Sequence, residues 1–353
     1  MEGWAINTKR IRDYGVKIGK YPTGPLNKIT DVPGVTVGHC TIDNDRHKTG
    51  VTVILPAQDN VFANKLTAGV HVINGFGKTC GTVQVQELGT LETPIALTNT
   101  LNVGKAADAI VGYMLERCAA DGVGCVSVNP VVGETNDCGL NDIADRCIGE
   151  KEVREAIENA SADFDEGDVG AGKGTSCFGL KGGIGSASRQ VTLDGKNYCI
   201  GALVQSNFGA TSDLVIAGQP VGKKIVEIMK KEAAPSDKGS IMAVIATDIP
   251  LDNLQLNRVL RHAVLGLART GSYVGHGSGD VVIGFTTANR HGTDDTFRTV
   301  TALNDRYIDC VFRGAVESVE EAVLNSMTAA DTVTGYSGTV RRSINEFLPD
   351  VLE

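Results

Sequence analysis

Ala233-Ala-Pro-Ser-Asp-Lys-Gly239 runs straight into Ser240-Ile-Met-Ala-Val-Ile-Ala-Thr-Asp-Ile-Pro250. The first part is polar and holds a proline, which marks a loop. The second is an apolar run of strand length that reads as a fully buried strand.

Outward from this junction, strands come in neighbouring pairs with helices between them. Upstream, Arg189-Gln-Val-Thr-Leu and Lys196-Asn-Tyr-Cys-Ile-Gly-Ala-Leu-Val flank Asp194-Gly195, a turn that supplies positive φ at little cost, so the pair reads as a hairpin. Val221 to Glu232 has the spacing of an amphipathic helix. Downstream, Asp252 caps a helix to about Thr270, Gly271–Gly279 is a glycine-rich loop, and Asp280-Val-Val-Ile-Gly-Phe-Thr-Thr is a second buried strand. A long helix is expected over Thr301–Ala330.

The amino-terminal third holds short β-rich runs at Val35, Val51 and Pro94, then a helix over Gly104–Ala120. A strand is expected over Cys125–Val132, ending in Gly133-Glu-Thr-Asn-Asp137, then a short helix over Lys151–Ala160 and an acidic surface loop over Ser161–Asp168. The pattern predicts a sheet-rich α/β or α+β protein without strict βαβ alternation. No stretch resembles an interdomain linker, so residues 1–353 are expected to form a single domain.

The formal net charge of −9 argues against nucleic acid as a partner, since phosphate binding requires clustered Lys and Arg. It suits a soluble protein and mildly favours substrates bearing an amine. The first ten residues lack the basic-then-apolar order of a signal peptide, and no uncharged apolar run is long enough to span a bilayer. The expected location is cytoplasmic, with no membrane association. The nine cysteines show no Cys-x-x-Cys pair and no zinc spacing, so neither a structural disulfide nor a metal is expected. Cys118, Cys125, Cys177, Cys199 and Cys310 read as small buried hydrophobes.

Gly167-Asp-Val-Gly-Ala-Gly-Lys-Gly-Thr175 looks like a phosphate loop, but its context argues otherwise. Asp163-Phe-Asp-Glu-Gly-Asp168 precedes it where a buried strand is required, and four carboxylates there would repel a phosphate. No helix follows it, so the glycines are read as a close backbone packing and no nucleotide cofactor is expected. The six histidines show no metal spacing, and no Gly-x-Ser-x-Gly elbow is present. His262, on a helix among Leu260, Val264 and Leu265, reads as structural.

Gly239-Ser240 fits a self-processing hydrolase. The hydroxyl attacks the preceding carbonyl, the resulting ester hydrolyses, and the freed α-amine lies beside the hydroxyl that released it. An α-amine titrates at about 7.7–8.0, so it can act as general base at neutral pH without a histidine. Taken alone, Gly-Ser before a strand equally reads as a turn.

The wider chain resembles the self-processed aminopeptidases that include the L-aminopeptidase/D-amidase/D-esterase and the β-peptidyl aminopeptidases. The resemblance rests on Ile29-Thr-Asp-Val-Pro-Gly-Val-Thr-Val-Gly-His39, Thr49-Gly-Val-Thr-Val-Ile-Leu-Pro56, Leu91-Glu-Thr-Pro-Ile-Ala-Leu-Thr-Asn-Thr100, Cys177-Phe-Gly-Leu-Lys-Gly-Gly-Ile-Gly-Ser186, Gln205-Ser-Asn-Phe-Gly209, Gly239-Ser240 and His276-Gly-Ser-Gly-Asp280. It implies a four-layer αββα sandwich like that of amino-terminal-nucleophile hydrolases, with different connectivity. It also implies oligomeric assembly and cleavage into residues 1–239 and 240–353.

By the same resemblance, Ser240 is the nucleophile, Asn207 an oxyanion donor, Ser278 and Asp280 the supports of proton transfer, and Glu134 the carboxylate that binds the substrate's amine. From the residues alone, Asn207 and Glu134 read as turn residues. The family's acid is a glutamate in the β-peptide-cleaving members, where this chain has the shorter Asp280, and an aromatic is common where Asn136 stands. The implied activity is hydrolysis of the amide or ester bond after an amino-terminal residue, in short peptides or amino-acid amides and esters, through an acyl-enzyme on Ser240. Two alternatives stay open: an acyltransferase on the same architecture, and an uncut binding protein without catalysis.

Overall fold

The computed structural model of the chain describes residues 9–230, 239–293 and 296–352. The expected loop over Ala233–Lys238 lies outside the described residues.

Along the chain come β1 (Thr36–Asp43), β2 (Lys48–Leu55), β3 (Asn64–Gly75), α1 (Thr82–Leu88), β4 (Thr90–Leu91), β5 (Ile95–Asn99), α2 (Val103–Ala120), β6 (Val131–Thr135) and α3 (Glu150–Glu158). Then follow the short ribbon β7 (Ser176–Cys177) and β8 (Leu180–Lys181), the hairpin β9 (Ile184–Leu193) and β10 (Lys196–Asn207), α4 (Val221–Met229), β11 (Ser240–Thr247), α5 (Asn253–Arg269), β12 (Gly279–Gly292) and α6 (Ile308–Thr328). Two sheets dominate, one ordered β1-β2-β5-β6 and the other β4-β3-β12-β11-β10-β9.

β11 shows why the layers stack as they do. All eight of its residues are buried. Ile241, Ala243 and Ile245 share a core with Leu260 and Ala263 of α5 and with Val319 and Val323 of α6. Met242, Val244 and Ala246 belong instead to the core built with Val53, Leu97 and Val132 of the smaller sheet. Alternate side chains of one strand thus feed two cores, the geometry a strand apolar on both faces requires. Helices α2 and α3 close the far side of the smaller sheet. The result is the expected αββα sandwich. The sheets approach so closely at Gly133 that a Cβ there would lie 2.5 Å from the Met242 Cε.

Local signals hold at several places. Asp194 and Gly195 both have positive φ, 49° and 73°, in the tight turn between β9 and β10. Asp252 Oδ1 accepts the Gln255 N–H at 2.8 Å, capping α5. The buried Arg189 of β9 pairs with Glu317 at 3.2 Å and Glu321 at 2.6 Å, fastening α6 to the sheet. Removing both carboxylates would leave the buried guanidinium unmatched, at a cost of about 3–5 kcal/mol.

Other expectations are corrected. The strand expected from Cys125 begins only at Val131, after Pro130, which has no N–H to give a ladder. Segment 161–168 is not merely a surface loop: Phe164 and Glu166 are buried, and Glu166 pairs with Arg10 at 2.9 Å. The last long helix starts at Ile308, because Asn289 of β12 pins Thr301 by two hydrogen bonds, 2.8 and 3.1 Å. Cys125 and Cys310 are only partly buried. In the phosphate-loop lookalike, a Cβ on Gly172 would lie 2.4 Å from the Ile184 nitrogen, so the glycine serves close backbone packing. Lys173 there is bound to Asp168 and Asp43 at 2.8 and 2.7 Å.

Candidate active site

Strands β11 and β12 are parallel and begin at the edge where the antiparallel neighbours β3 and β10 end. Four strand termini therefore meet in one place. Ser240, first in β11, is paired with Asn207, last in β10, and with Gly279, first in β12. Its hydroxyl donates to the Gly239 carbonyl at 2.7 Å. The Gly279 N–H lies 3.2 Å from both the Gly239 carbonyl oxygen and Ser240 Oγ. A hydroxyl, the carbonyl before it and a fixed N–H donor are thus within hydrogen-bond reach of one another, the set an acyl shift uses.

The Asn207 carboxamide is held from two sides. Its Oδ1 accepts the Ser176 N–H at 2.9 Å, and its Nδ2 donates to the Asn136 carbonyl at 3.0 Å. One Nδ2 hydrogen is so used, and among the described residues the second has no acceptor. The Asn136 side chain turns back on its own loop, accepting the Cys138 N–H at 3.0 Å. Next to it, the buried Asp137 accepts the Thr49 hydroxyl at 2.5 Å and Asn141 Nδ2 at 3.0 Å. Burial nevertheless pushes the Asp137 carboxyl up to about 6.

Glu134 was expected on a loop. It lies inside β6 instead, 2% exposed. Its Oε1 accepts the Lys78 N–H at 2.9 Å, and its Oε2 accepts the Thr100 hydroxyl. Among the described residues, no ion pair joins Glu134 to a Lys, Arg or His side chain. A buried carboxylate held only by neutral donors has the charge to accept a cation that enters the cleft.

Ser278 Oγ donates to Asp280 Oδ1 at 2.7 Å. The loop carrying Ser278 is fastened by Asn74, whose Nδ2 reaches the carbonyls of Gly275 at 3.2 Å, His276 at 3.0 Å and Ser278. Val274 in that loop has φ of 56°, a costly conformation for a β-branched residue, which the surrounding bonds hold in place. Sequence reading did not find Asn74 or the Gly279 N–H. The alternation of Leu66, Ala68, Val70 and Val72 before Asn74-Gly75 was the available signal for the first.

Glu134, Asn207, Gly239 and Ser240 line one cleft, together with Phe76, Lys78, Thr100, Asn136, Cys138 and Gly277. Ser278 follows Gly277 directly, and Asp280 is the second residue of β12. The candidate residues named from the sequence are thus gathered where these strand ends of the larger sheet meet, with Glu134 reaching the cleft from β6 of the smaller sheet. His262 is elsewhere, stacked on Phe312 at 3.8 Å. Among the described residues, no group of three His, Cys, Asp or Glu could hold a metal, and no helix is long and apolar enough to cross a membrane.

The sequence model of Peptidase family S58 matches residues 27–341. The beta-peptidyl aminopeptidase BapA of Sphingosinicella microcystinivorans is 38% identical, covering 94% of this chain and 89% of its own. Among solved structures, the PH0078 protein of Pyrococcus horikoshii OT3 has 46% identity and a TM-score of 0.90 over 97% of this chain and 98% of its own. The L-aminopeptidase D-Ala-esterase/amidase of Ochrobactrum anthropi, described as a variant among Ntn hydrolase folds, has 38% identity and a TM-score of 0.90 over 97% and 98%.

Proposed function

This chain belongs to peptidase family S58 and is an aminopeptidase, and we propose that it matures by cutting itself between Gly239 and Ser240 and then uses Ser240 as an amino-terminal nucleophile. The observation that carries this reading is the junction itself. Ser240 Oγ lies 2.7 Å from the Gly239 carbonyl oxygen, and the Gly279 N–H reaches that oxygen at 3.2 Å.

In maturation, Ser240 Oγ bonds to the Gly239 carbonyl carbon while the Gly279 N–H stabilises the charge gathering on its oxygen. The Ser278–Asp280 pair receives the hydroxyl proton and returns it to the departing Ser240 nitrogen. The product is an ester with a free α-amine, and water then hydrolyses it to a Gly239 carboxylate and a free Ser240. In turnover, the α-amine takes the proton from Ser240 Oγ as it attacks the substrate carbonyl, then passes it to the leaving amine. Asn207 donates to the new oxyanion, and water releases the acyl group.

The substrate's ammonium is seated on Glu134, the buried carboxylate in the cleft wall that among the described residues has no cationic partner. Short peptides, amino-acid amides and esters with a free amino end are therefore the proposed substrates. The deciding experiment compares amino-acid p-nitroanilides with their N-acetylated forms: the free amines are cleaved and the acetylated compounds are not. Equal cleavage of both would reduce the protein to a general amidase.

A further inference from the structure

Two charged side chains line the cleft, and their placement differs. Glu134 is buried in the wall, whereas Lys78 is exposed. They share one frame, because the Lys78 N–H is itself the donor that fixes Glu134 Oε1 at 2.9 Å. Among the described residues the Lys78 ammonium meets the Phe76 carbonyl and the Phe76 ring, 4.2 Å from its centroid, and no ion pair joins it to a carboxylate. An ammonium carries three donors, so donors remain for an anion.

The rest of the molecule makes this cation unusual. The chain's formal net charge is −9, a field that repels anionic ligands unless a local positive charge offsets it. Two residues of extended chain span roughly 7 Å, so in a dipeptide the two end charges are separated by a distance of the order of a lysine side chain's reach. The backbone of Lys78 fixes the amine seat and its side chain carries the cation, so one residue ties the two charges to the same cleft.

We propose that Lys78 makes the cleft selective for dipeptides with a free carboxyl end: Glu134 takes the ammonium, Ser240 faces the bond between the residues, and Lys78 takes the terminal carboxylate. This rests on the aminopeptidase reading above and adds a second anchor to it. A residue longer, the carboxylate passes beyond the lysine; capped as an amide, it loses the charge.

The test measures kcat/KM for alanyl-alanine, its C-terminal amide and alanine p-nitroanilide with wild type, Lys78→Met, Lys78→Arg and Lys78→Glu, after mass spectrometry shows each variant cut at Gly239. Wild type favours the free acid over the amide by roughly two- to fivefold, the range of one exposed ion pair, and salt lowers that ratio. Lys78→Met collapses the ratio, Lys78→Glu inverts it and Lys78→Arg keeps it. A ratio unchanged in Lys78→Met and Lys78→Glu, while the p-nitroanilide is still cleaved, overturns the role of Lys78 and leaves the aminopeptidase reading standing. A wild type inert on all three compounds sinks both.

Discussion

The Ser278 hydroxyl donates to Asp280 at 2.7 Å, in a loop that Asn74 ties down and beside the residue paired with Ser240. In the proposed mechanism this pair moves the proton in maturation, before any α-amine exists. Ser278→Ala and Asp280→Asn are accordingly expected to slow self-cleavage more than they slow turnover in chains already cut. A time course of the full-length band after synthesis, read against turnover per cut chain, checks this. Wild-type maturation in either variant would remove the pair from the mechanism.

Asn207→Ala deletes a side-chain donor without altering the strand that carries it. Losing one oxyanion donor lowers kcat by something like 10²–10³ with a smaller change in KM. Asn207→Asp tests the sign of the interaction, since a carboxylate there meets the oxyanion with like charge and should be at least as damaging. Steady-state kinetics on an amino-acid p-nitroanilide are the readout, and a turn-residue role would leave kcat near wild type.

Glu134→Gln keeps the shape and drops the charge. It is expected to raise KM steeply for a free-amine p-nitroanilide while cleavage at Gly239 proceeds, because self-cleavage involves no substrate ammonium. Should self-cleavage fail as well, Glu134 acts through the fold and not through the substrate.

Asp137 gives a pH dependence with a definite sign. Its carboxyl is pushed up to about 6, above the value in an unfolded chain, so the folded state holds an extra proton between the two. Stability is therefore lost as pH rises from about 4 to 6, by about 3 kcal/mol from this group, and is level above that window. Asp137→Asn has no proton to lose there, so its Tm relative to wild type should climb across that range. A flat difference curve would show that the site's hydrogen bonds from Thr49 and Asn141 offset the burial.

The parts of the fold legible in the sequence were those written in local chemistry. The apolar run of β11, the Asp194-Gly195 turn and the Asp252 cap each name their own element. Where tertiary contacts decide, the sequence was silent or misleading. Glu134 follows an apolar run and precedes Asn and Asp, so it looks like a turn residue; only the hydrogen bonds from Lys78 and Thr100, 56 and 34 residues away, make it tolerable inside a strand. Thr301 sits in a helix-compatible stretch but is tied to β12 by Asn289. The Gly279 N–H could not be read at all, since a backbone donor has no side-chain signature. Asn207, Ser278 and Asp280 were named only through the resemblance to known aminopeptidases, because the contacts that orient them cross between strands.

The mass spectrum of the purified protein tests the central claim most directly. The account predicts two chains for wild type, one ending at Gly239 and one beginning at Ser240, and a single full-length, inactive chain for Ser240→Ala. Cleavage of Ser240→Ala at that same bond would mean that another protease does the cutting, and an intact wild-type chain that hydrolyses amino-acid p-nitroanilides would mean that no freed α-amine is needed. Either result contradicts the self-processing mechanism.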